Sequence, residues 1–478
     1  MDFVLGNIVV ILLLVFYLYT WISTITVLIM ENRNPIRSIS WVIVLVFLPV
    51  LGLFFYFIFG QNLRQRKKIN ALSIRKQESR YKDLQQLELL NKSETSTNIS
   101  NLIRLFQNEN ESIAYANSKI DIYADPQETF ENIFADLAKA KDHIHIEFYI
   151  IANDQIGNRL RELLIEKASH GVQVRVIYDY WGCFDLTKKF FLSMKEAGIH
   201  FHAFFPPKFP FVLSKINYRN HRKIVVVDGK VGYTGGVNMA NRYFTGDSLG
   251  LWRDTMVRFE GSTVYGLQEA FLNDWYFVDR VMLTKKKYFP KQEVFGKNLV
   301  QIVDSGPDTK FQSIMHGIYY ALTTAQDYVY IHTPYFMPPD EILSAIQTAA
   351  MRGVDVRLLI PTRSDTSMAR ASNCSYIETM LNAGARVYWY LNGFLHSKAI
   401  VVDDMISTIG TANMDFRSYE QNFEINAFIY EKETAQKLKE LFMNDLEHSI
   451  EVTKEEWMKR PKIQRVKESL SRLFSPIM

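Results

Sequence analysis

A motif that occurs twice constrains this 478-residue chain more than any other feature. His221-Arg-Lys223-Ile-Val-Val-Val-Asp228 is followed by Gly235-Gly236-Val-Asn238. His396-Ser-Lys398-Ala-Ile-Val-Val-Asp403 is followed by Gly410-Thr411-Ala-Asn413, with every offset the same. One such match is open to coincidence; two with the same trailing Gly-x-x-Asn are not, and they demand a duplicated fold. On extended backbone, positions i and i+2 share a face, so each histidine projects beside its lysine. The apolar residues that follow each lysine bury the strand and hold that pair rigidly. Asp228-Gly229 signals a hairpin turn that returns the chain to the glycines.

The surrounding pattern repeats as well. A helix over 129–140 leads into a strand over 143–150, and a helix over 311–324 leads into a strand over 328–336. Strands over 171–178 and 353–360 follow, then Ala197-Gly-Ile-His-Phe201 and Ala383-Gly-Ala-Arg-Val387. Alternating helices and strands predict an α/β fold of two homologous halves, with largely parallel sheets and pseudo-two-fold packing. The expected divisions are a transmembrane hairpin over 1–62, a basic juxtamembrane linker over 63–110, halves over 111–295 and 296–450, and a basic amphipathic helix over 451–478. An aromatic, proline-rich insert around 204–220 reads either as a lipid-facing lip or as an ordinary packed loop.

Joining the halves gathers His221, Lys223, His396, Lys398, Asn238 and Asn413 around one phosphodiester. Lysines supply positive charge where negative charge builds up. One imidazole attacks phosphorus while the other protonates the leaving oxygen and then deprotonates the incoming alcohol. Glycine lets backbone approach a phosphate, and the asparagines can donate to it. Asp228 and Asp403 complete the motifs and are counted with the catalytic residues, although at the turns they brace the loop rather than touch the substrate. No metal and no cofactor is expected, because lysines take over the metal's charge. His143, His145, His200, His202 and His332 read as structural. With two cysteines and no Cys-x-x-Cys pair, a disulfide framework or thiolate metal site is disfavoured, and a reducing compartment is the simpler expectation.

Charge is absent from Phe3 to Met30 and again from Ser38 to Leu63, and each run exceeds the roughly 20 residues needed to span a bilayer. A cleaved signal peptide is the competing reading of the first run, but no basic segment precedes it and no small-residue cleavage site follows. The short connector from Glu31 to Arg37 makes the pair an antiparallel hairpin. Arg64, Arg66, Lys67, Lys68, Arg75 and Lys76 follow the second run, which puts both termini and the catalytic body in the cytoplasm. That basic stretch suits either anionic headgroups or a solvated linker. Near the end, Ile463, Val466, Leu470, Leu473 and Phe474 recur at helical spacing among Lys462, Arg465, Lys467 and Arg472. Such a helix either lies in a membrane interface or docks on the body. The net charge of +4 is modest for this length and does not itself argue for nucleic acid.

The twin motifs resemble the signatures of the phospholipase D superfamily. Further segments resemble bacterial cardiolipin synthases in particular: Arg33-Asn-Pro35 with Trp41, Leu48-Pro49 with Gly52, Phe59-Gly60, Ile146-Glu-Phe-Tyr149, Leu251-Trp-Arg-Asp254, Ser305-Gly-Pro307, Thr333-Pro-Tyr-Phe336, and Asp415 with Arg417, Ser418, Asn422 and Glu424. The resemblance implies transfer between two phosphatidylglycerol molecules through a phosphohistidine, with phosphatidylglycerol and cardiolipin as membrane partners and no nucleic acid. It implies that Glu424 orients His396 and Asp254 orients His221, and the family habit favours His221 as nucleophile. A phospholipase D hydrolase and a phosphatidyltransferase using another alcohol, such as a phosphatidylserine synthase, remain alternatives; the membrane hairpin disfavours a nuclease, and the intact motifs argue against an inactive scaffold. Oligomeric state is left open.

Overall fold

The computed structural model describes residues 2–30, 35–56, 60, 96–207 and 217–477. The connector residues 31–34, the basic stretch 61–95 and most of the expected insert, 208–216, lie outside the described residues. Two compact units are present, one built from the N-terminal helices and the other from the duplicated region.

In the first unit an unbroken helix, Asp2–Met30, is followed by Pro35–Phe47 and Pro49–Phe55. Trp21 Nε1 donates to Leu45 O at 2.7 Å, and Leu28, Leu45, Leu53 and Tyr56 are buried together between the helices. Most of the remaining apolar side chains on the first helix face outward, Leu12 and Phe16 among them. Among the described residues, one helix, Val10–Met30, is long and apolar enough to cross a bilayer, whereas Ser38–Phe47 is shorter. The second span expected as one helix is interrupted at Leu48, because Pro49 cannot continue the hydrogen-bond ladder and restrains the residue before it.

In the second unit the duplication is explicit. One seven-stranded sheet runs Lys119–Tyr123, Met256–Glu260, Val231–Gly235, Ile224–Val227, His143–Phe148, Gln173–Asp179, His200–Phe204. Inside the larger sheet the same order recurs as Leu299–Ser305, Asn422–Ile429, Ile406–Gly410, Ala399–Val402, Tyr328–His332, Asp355–Pro361, Arg386–Tyr390. The expectation of largely parallel sheets is corrected. In each half only the last three strands pair in parallel; the others are antiparallel. A tight turn after the motif aspartate forces the next strand back beside its predecessor, so no crossover helix fits there.

The expected linker does not reach residue 110. Thr97–Asn110 is a helix whose Ile99, Leu102 and Phe106 enter the core of the second half, and Ala114–Ala116 pairs with that half's edge strand. At the other end, the expected single helix resolves into a strand, Ser449–Glu451, a short helix, Lys454–Met458, and a final helix, Lys462–Arg472.

Candidate active site

Each motif histidine and lysine lies just before a wholly buried strand, Ile224–Val227 or Ala399–Val402, and not on it as expected. Burial of those four-residue strands fixes the segment ahead of them. Lys223 Nζ donates to His221 O at 2.8 Å, and Lys398 Nζ does the same to His396 O, so both lysines fold back beside their own histidines.

The halves meet by reciprocal exchange. Arg219–Asn220 pairs in parallel with the start of Asn422–Ile429, and Phe394–Leu395 pairs in parallel with Trp252–Arg253. His221 N–H then donates to Phe423 O at 2.9 Å, and His396 N–H to Arg253 O at 2.8 Å. Each histidine is thereby tied to the residue just before a carboxylate of the opposite half. His221 Nδ1 lies 2.9 Å from Glu424 Oε2, and His396 Nδ1 lies 2.6 Å from Asp254 Oδ2. The expected pairing is therefore corrected: Glu424 serves His221 and Asp254 serves His396. The reason is topological, since the parallel exchange brings the opposite half's carboxylate strand against each motif.

Both carboxylates are buried and fully engaged. Glu424 Oε2 also accepts from Thr411 Oγ1 at 2.5 Å, and its Oε1 accepts from Asn422 Nδ2 at 3.1 Å. Asp254 Oδ1 accepts from Thr255 N at 2.7 Å. Burial raises each carboxyl, but Lys398 and His396 beside Asp254, and His221 and Lys223 beside Glu424, outweigh it and leave both below the ordinary range. Burial is also the main force on the bases. It pulls His221 down to about 4, against the opposing pull of Glu424, and His396 down to about 3. Lys223 falls to about 7 and Lys398 to about 8, each by burial first, with Lys398 also repelling Lys223. The site thus presents two imidazoles of lowered basicity, each held by a carboxylate of the opposite half, with a lysine of lowered proton affinity beside each.

Aromatic rings wall the histidines. Tyr149 meets His221 edge-on at 4.9 Å, while Trp252 and Tyr243 flank His396 at 5.1 and 5.5 Å.

Not every expected residue reaches this centre. Asp228 accepts from the backbone N–H groups of Lys141, Asp142 and His143, and Asp403 from those of Gln326, Asp327 and Tyr328. Both aspartates clamp the start of the adjacent strand, as the turn position implies, and their place among the catalytic residues is withdrawn. Asn238 is spent internally, accepting from Ile150 N at 3.1 Å and donating to Tyr243 Oη at 2.6 Å. Asn413 is buried, and its Oδ1 has no hydrogen-bond partner among the described residues. Gly236 has a different reason from the one expected: a Cβ there would overlap the Asp254 carboxylate.

Arg222, between the first motif's histidine and lysine, has no expected role. It is buried, donates from Nε to Glu424 O at 3.2 Å, and pairs with Asp274 and, at 2.7 Å, Asp304. The second motif has Ser397 at this place, bonded to Thr255 Oγ1 at 2.7 Å. That replacement of a charged residue by a neutral one between the two copies was the available signal.

Residues 133–275 and 318–446 match the family described as "Cardiolipin synthase, PLD-like domain", and residues 15–61 match a phospholipase D-nuclease N-terminal family. The major cardiolipin synthase of Bacillus subtilis is 40% identical across 98% of this chain and 99% of its own length. A Listeria monocytogenes cardiolipin synthase is 37% identical across 99% of this chain and all of its own. A Haemophilus influenzae phosphatidylserine synthase shares the fold, with TM-score 0.60 at 16% identity, over 79% of this chain and all of the other. With a duplicated site of this geometry and relatives matching from end to end, the chain belongs to the bacterial cardiolipin synthases, phosphatidyltransferases of the phospholipase D superfamily.

Proposed function

We propose that the chain transfers a phosphatidyl group from one phosphatidylglycerol to another, forming cardiolipin and releasing glycerol. The observation that carries this reading is the pair of imidazoles, each held at Nδ1 by a carboxylate from the opposite half, with a lysine beside each.

His221 attacks phosphorus through Nε2, the phosphorus–oxygen bond to glycerol breaks, and a phosphatidyl-histidine forms. Glu424 fixes the tautomer that leaves Nε2 free and stabilises the cation that develops. His396, which takes up a proton from solvent as the anionic substrate binds and raises its basicity, delivers it to the departing glycerol oxygen, and Asp254 balances the charge. The hydroxyl of a second phosphatidylglycerol then gives its proton to His396, attacks phosphorus and releases His221. Lys223 and Lys398 hold the non-bridging oxygens throughout.

The apolar helix Asp2–Met30 and the family match over 15–61 support membrane association. The finer topology proposed is a two-span hairpin with the basic stretch after it, and hence the catalytic body, in the cytoplasm.

The test is mass spectrometry of the lipids made by purified full-length protein in phosphatidylglycerol vesicles. Cardiolipin and glycerol in equal amounts are expected, with added glycerol driving supplied cardiolipin back to phosphatidylglycerol. Accumulation of phosphatidic acid as the main product would make the protein a hydrolase. A requirement for a different alcohol would make it another phosphatidyltransferase.

A further inference from the structure

The final helix, Lys462–Arg472, is turned the wrong way round for a helix whose outer face meets water. Its one acidic residue, Glu468, is inside at 4% exposure, where it accepts from Arg460 at 3.1 Å and from Gln464 at 2.9 Å. Opposite Glu468 lies an apolar stripe of Ile463, Val466, Leu470 and Leu473, each more than half exposed and Leu473 the most at 73%. These positions recur at i, i+3, i+7 and i+10, so they form one face.

The polar side does the docking. Ser372 Oγ donates to Ser471 O at 3.0 Å, and the Arg472 guanidinium lies 4.2 Å from the centre of the Tyr376 ring; both partners lie on the helix Ser367–Asn382. A soluble docked helix buries its apolar stripe and leaves its charges in water. Here the arrangement is inverted, so the stripe is positioned for another apolar medium. Lys462 and Lys467, both exposed, border it on either side, and Glu468, the only acid on the helix, is neutralised by Arg460. Cations at the margins of an exposed apolar stripe match a surface of anionic lipid, with the lysine stems lying along the hydrocarbon and the ammonium groups among headgroups.

We infer that Lys462–Arg472 is a membrane-docking helix of the catalytic body, laying its Ile463/Val466/Leu470/Leu473 face into an anionic bilayer surface while its polar face stays fastened to Ser367–Asn382. This rests on the reading that the body works on membrane lipid, and it adds a second attachment at the opposite end of the chain from the apolar N-terminal helix. Both cations and stripe are needed, because the stripe supplies insertion and the lysines supply preference for negative headgroups.

Spin labels on the full-length protein in vesicles test it. Both native cysteines are buried, so a label introduced by Leu470→Cys or Ile463→Cys reports its own position. In phosphatidylglycerol vesicles these labels should be reached by oxygen at least about fivefold more readily, relative to a water-soluble nickel relaxant, than a label at Ser469→Cys on the flank, as immersion to headgroup–acyl depth requires. Lys462→Glu with Lys467→Glu should shift the Leu470 label toward water. Labels at Leu470 and Ile463 that remain fully open to the nickel reagent would overturn the inference. So would strong spin–spin coupling between labels, which would show that a second copy covers the stripe. Cardiolipin synthesis measured on the same samples keeps the two readings apart. Synthesis with a water-exposed label removes the docking helix alone, and an immersed label without synthesis removes the proposed reaction alone.

Discussion

The imidazole of each motif takes its carboxylate from the other half, and this crossing has a chemical consequence that can be measured. A carboxylate acting through the proton-donating histidine matters less when the leaving group needs no proton. With a p-nitrophenyl phosphodiester, the first step in a His396→Ala variant should recover far more than in His221→Ala. Asp254→Asn should follow the His396 pattern and Glu424→Gln the His221 pattern. On the ordinary substrate each carboxylate substitution should cost roughly 10²- to 10⁴-fold in kcat, the range for loss of a histidine-orienting acid. A Glu424→Gln variant rescued like His396→Ala would restore the uncrossed pairing. The pH dependence has its own sign. On the p-nitrophenyl substrate, which needs no proton from His396, protonating His221 removes the attacking lone pair, so kcat/KM should fall as pH drops through about 4, not at the ordinary imidazole value. Deprotonating Lys223 and Lys398 removes transition-state charge, so kcat/KM should fall as pH rises through about 7 to 8. An acid midpoint near the ordinary imidazole pKa of about 6.5 would show that burial does not govern His221.

The hairpin is where the motif's third residue works. Asp228 takes up left-handed backbone at φ 53° and Asp403 at φ 53°, and each accepts three neighbouring backbone N–H groups. Removing such an acceptor leaves one partly buried donor, the N–H of His143 or Tyr328, unpaired at about 1–3 kcal/mol, while the two exposed donors turn to water. Asp228→Ala should therefore lower the temperature of inactivation while keeping, in the cold, far more activity than His221→Ala; loss equal to that of the histidine variant would return Asp228 to the reacting centre. That role was legible in the sequence because an Asp-Gly turn after an apolar run has few other uses. The duplication and strand positions were legible for the same reason: their signals are local. Sheet direction, the crossed carboxylates and the place of Thr97–Asn110 in the second half's core depend on contacts between residues far apart in the chain, which periodicity does not report. Gly236 shows the limit sharply. Its small size is plain in the sequence, but the carboxylate it accommodates comes from Asp254, just ahead of the adjacent strand of the same half, and only the fold reveals that neighbour.

At the scale of the whole molecule, the two halves of one chain complete a single site. His221 depends on Glu424 and His396 on Asp254, while Arg222 of the first half holds the backbone of Glu424 in the second. Neither half possesses a histidine, a lysine and that histidine's own carboxylate. Chains carrying His221→Ala and chains carrying His396→Ala should both be inactive, since attack and proton transfer are separate indispensable steps. Mixed in one membrane, they should stay inactive, because each chain closes its own defective site. Exchange of halves between two copies would give a different result. In a swapped dimer from an equal mixture, half the dimers pair unlike chains, and one of their two sites unites an intact His221 with an intact His396. Activity would then return to about a quarter of the unmutated level, the fraction that random pairing sets for a two-fold assembly. Co-purification of the two variants under different tags distinguishes a true negative from chains that never met. Inactivity in a co-purified pair fixes the site within one chain; recovery to a quarter would show that the reciprocal strands Arg219–Asn220 and Phe394–Leu395 join partners rather than halves.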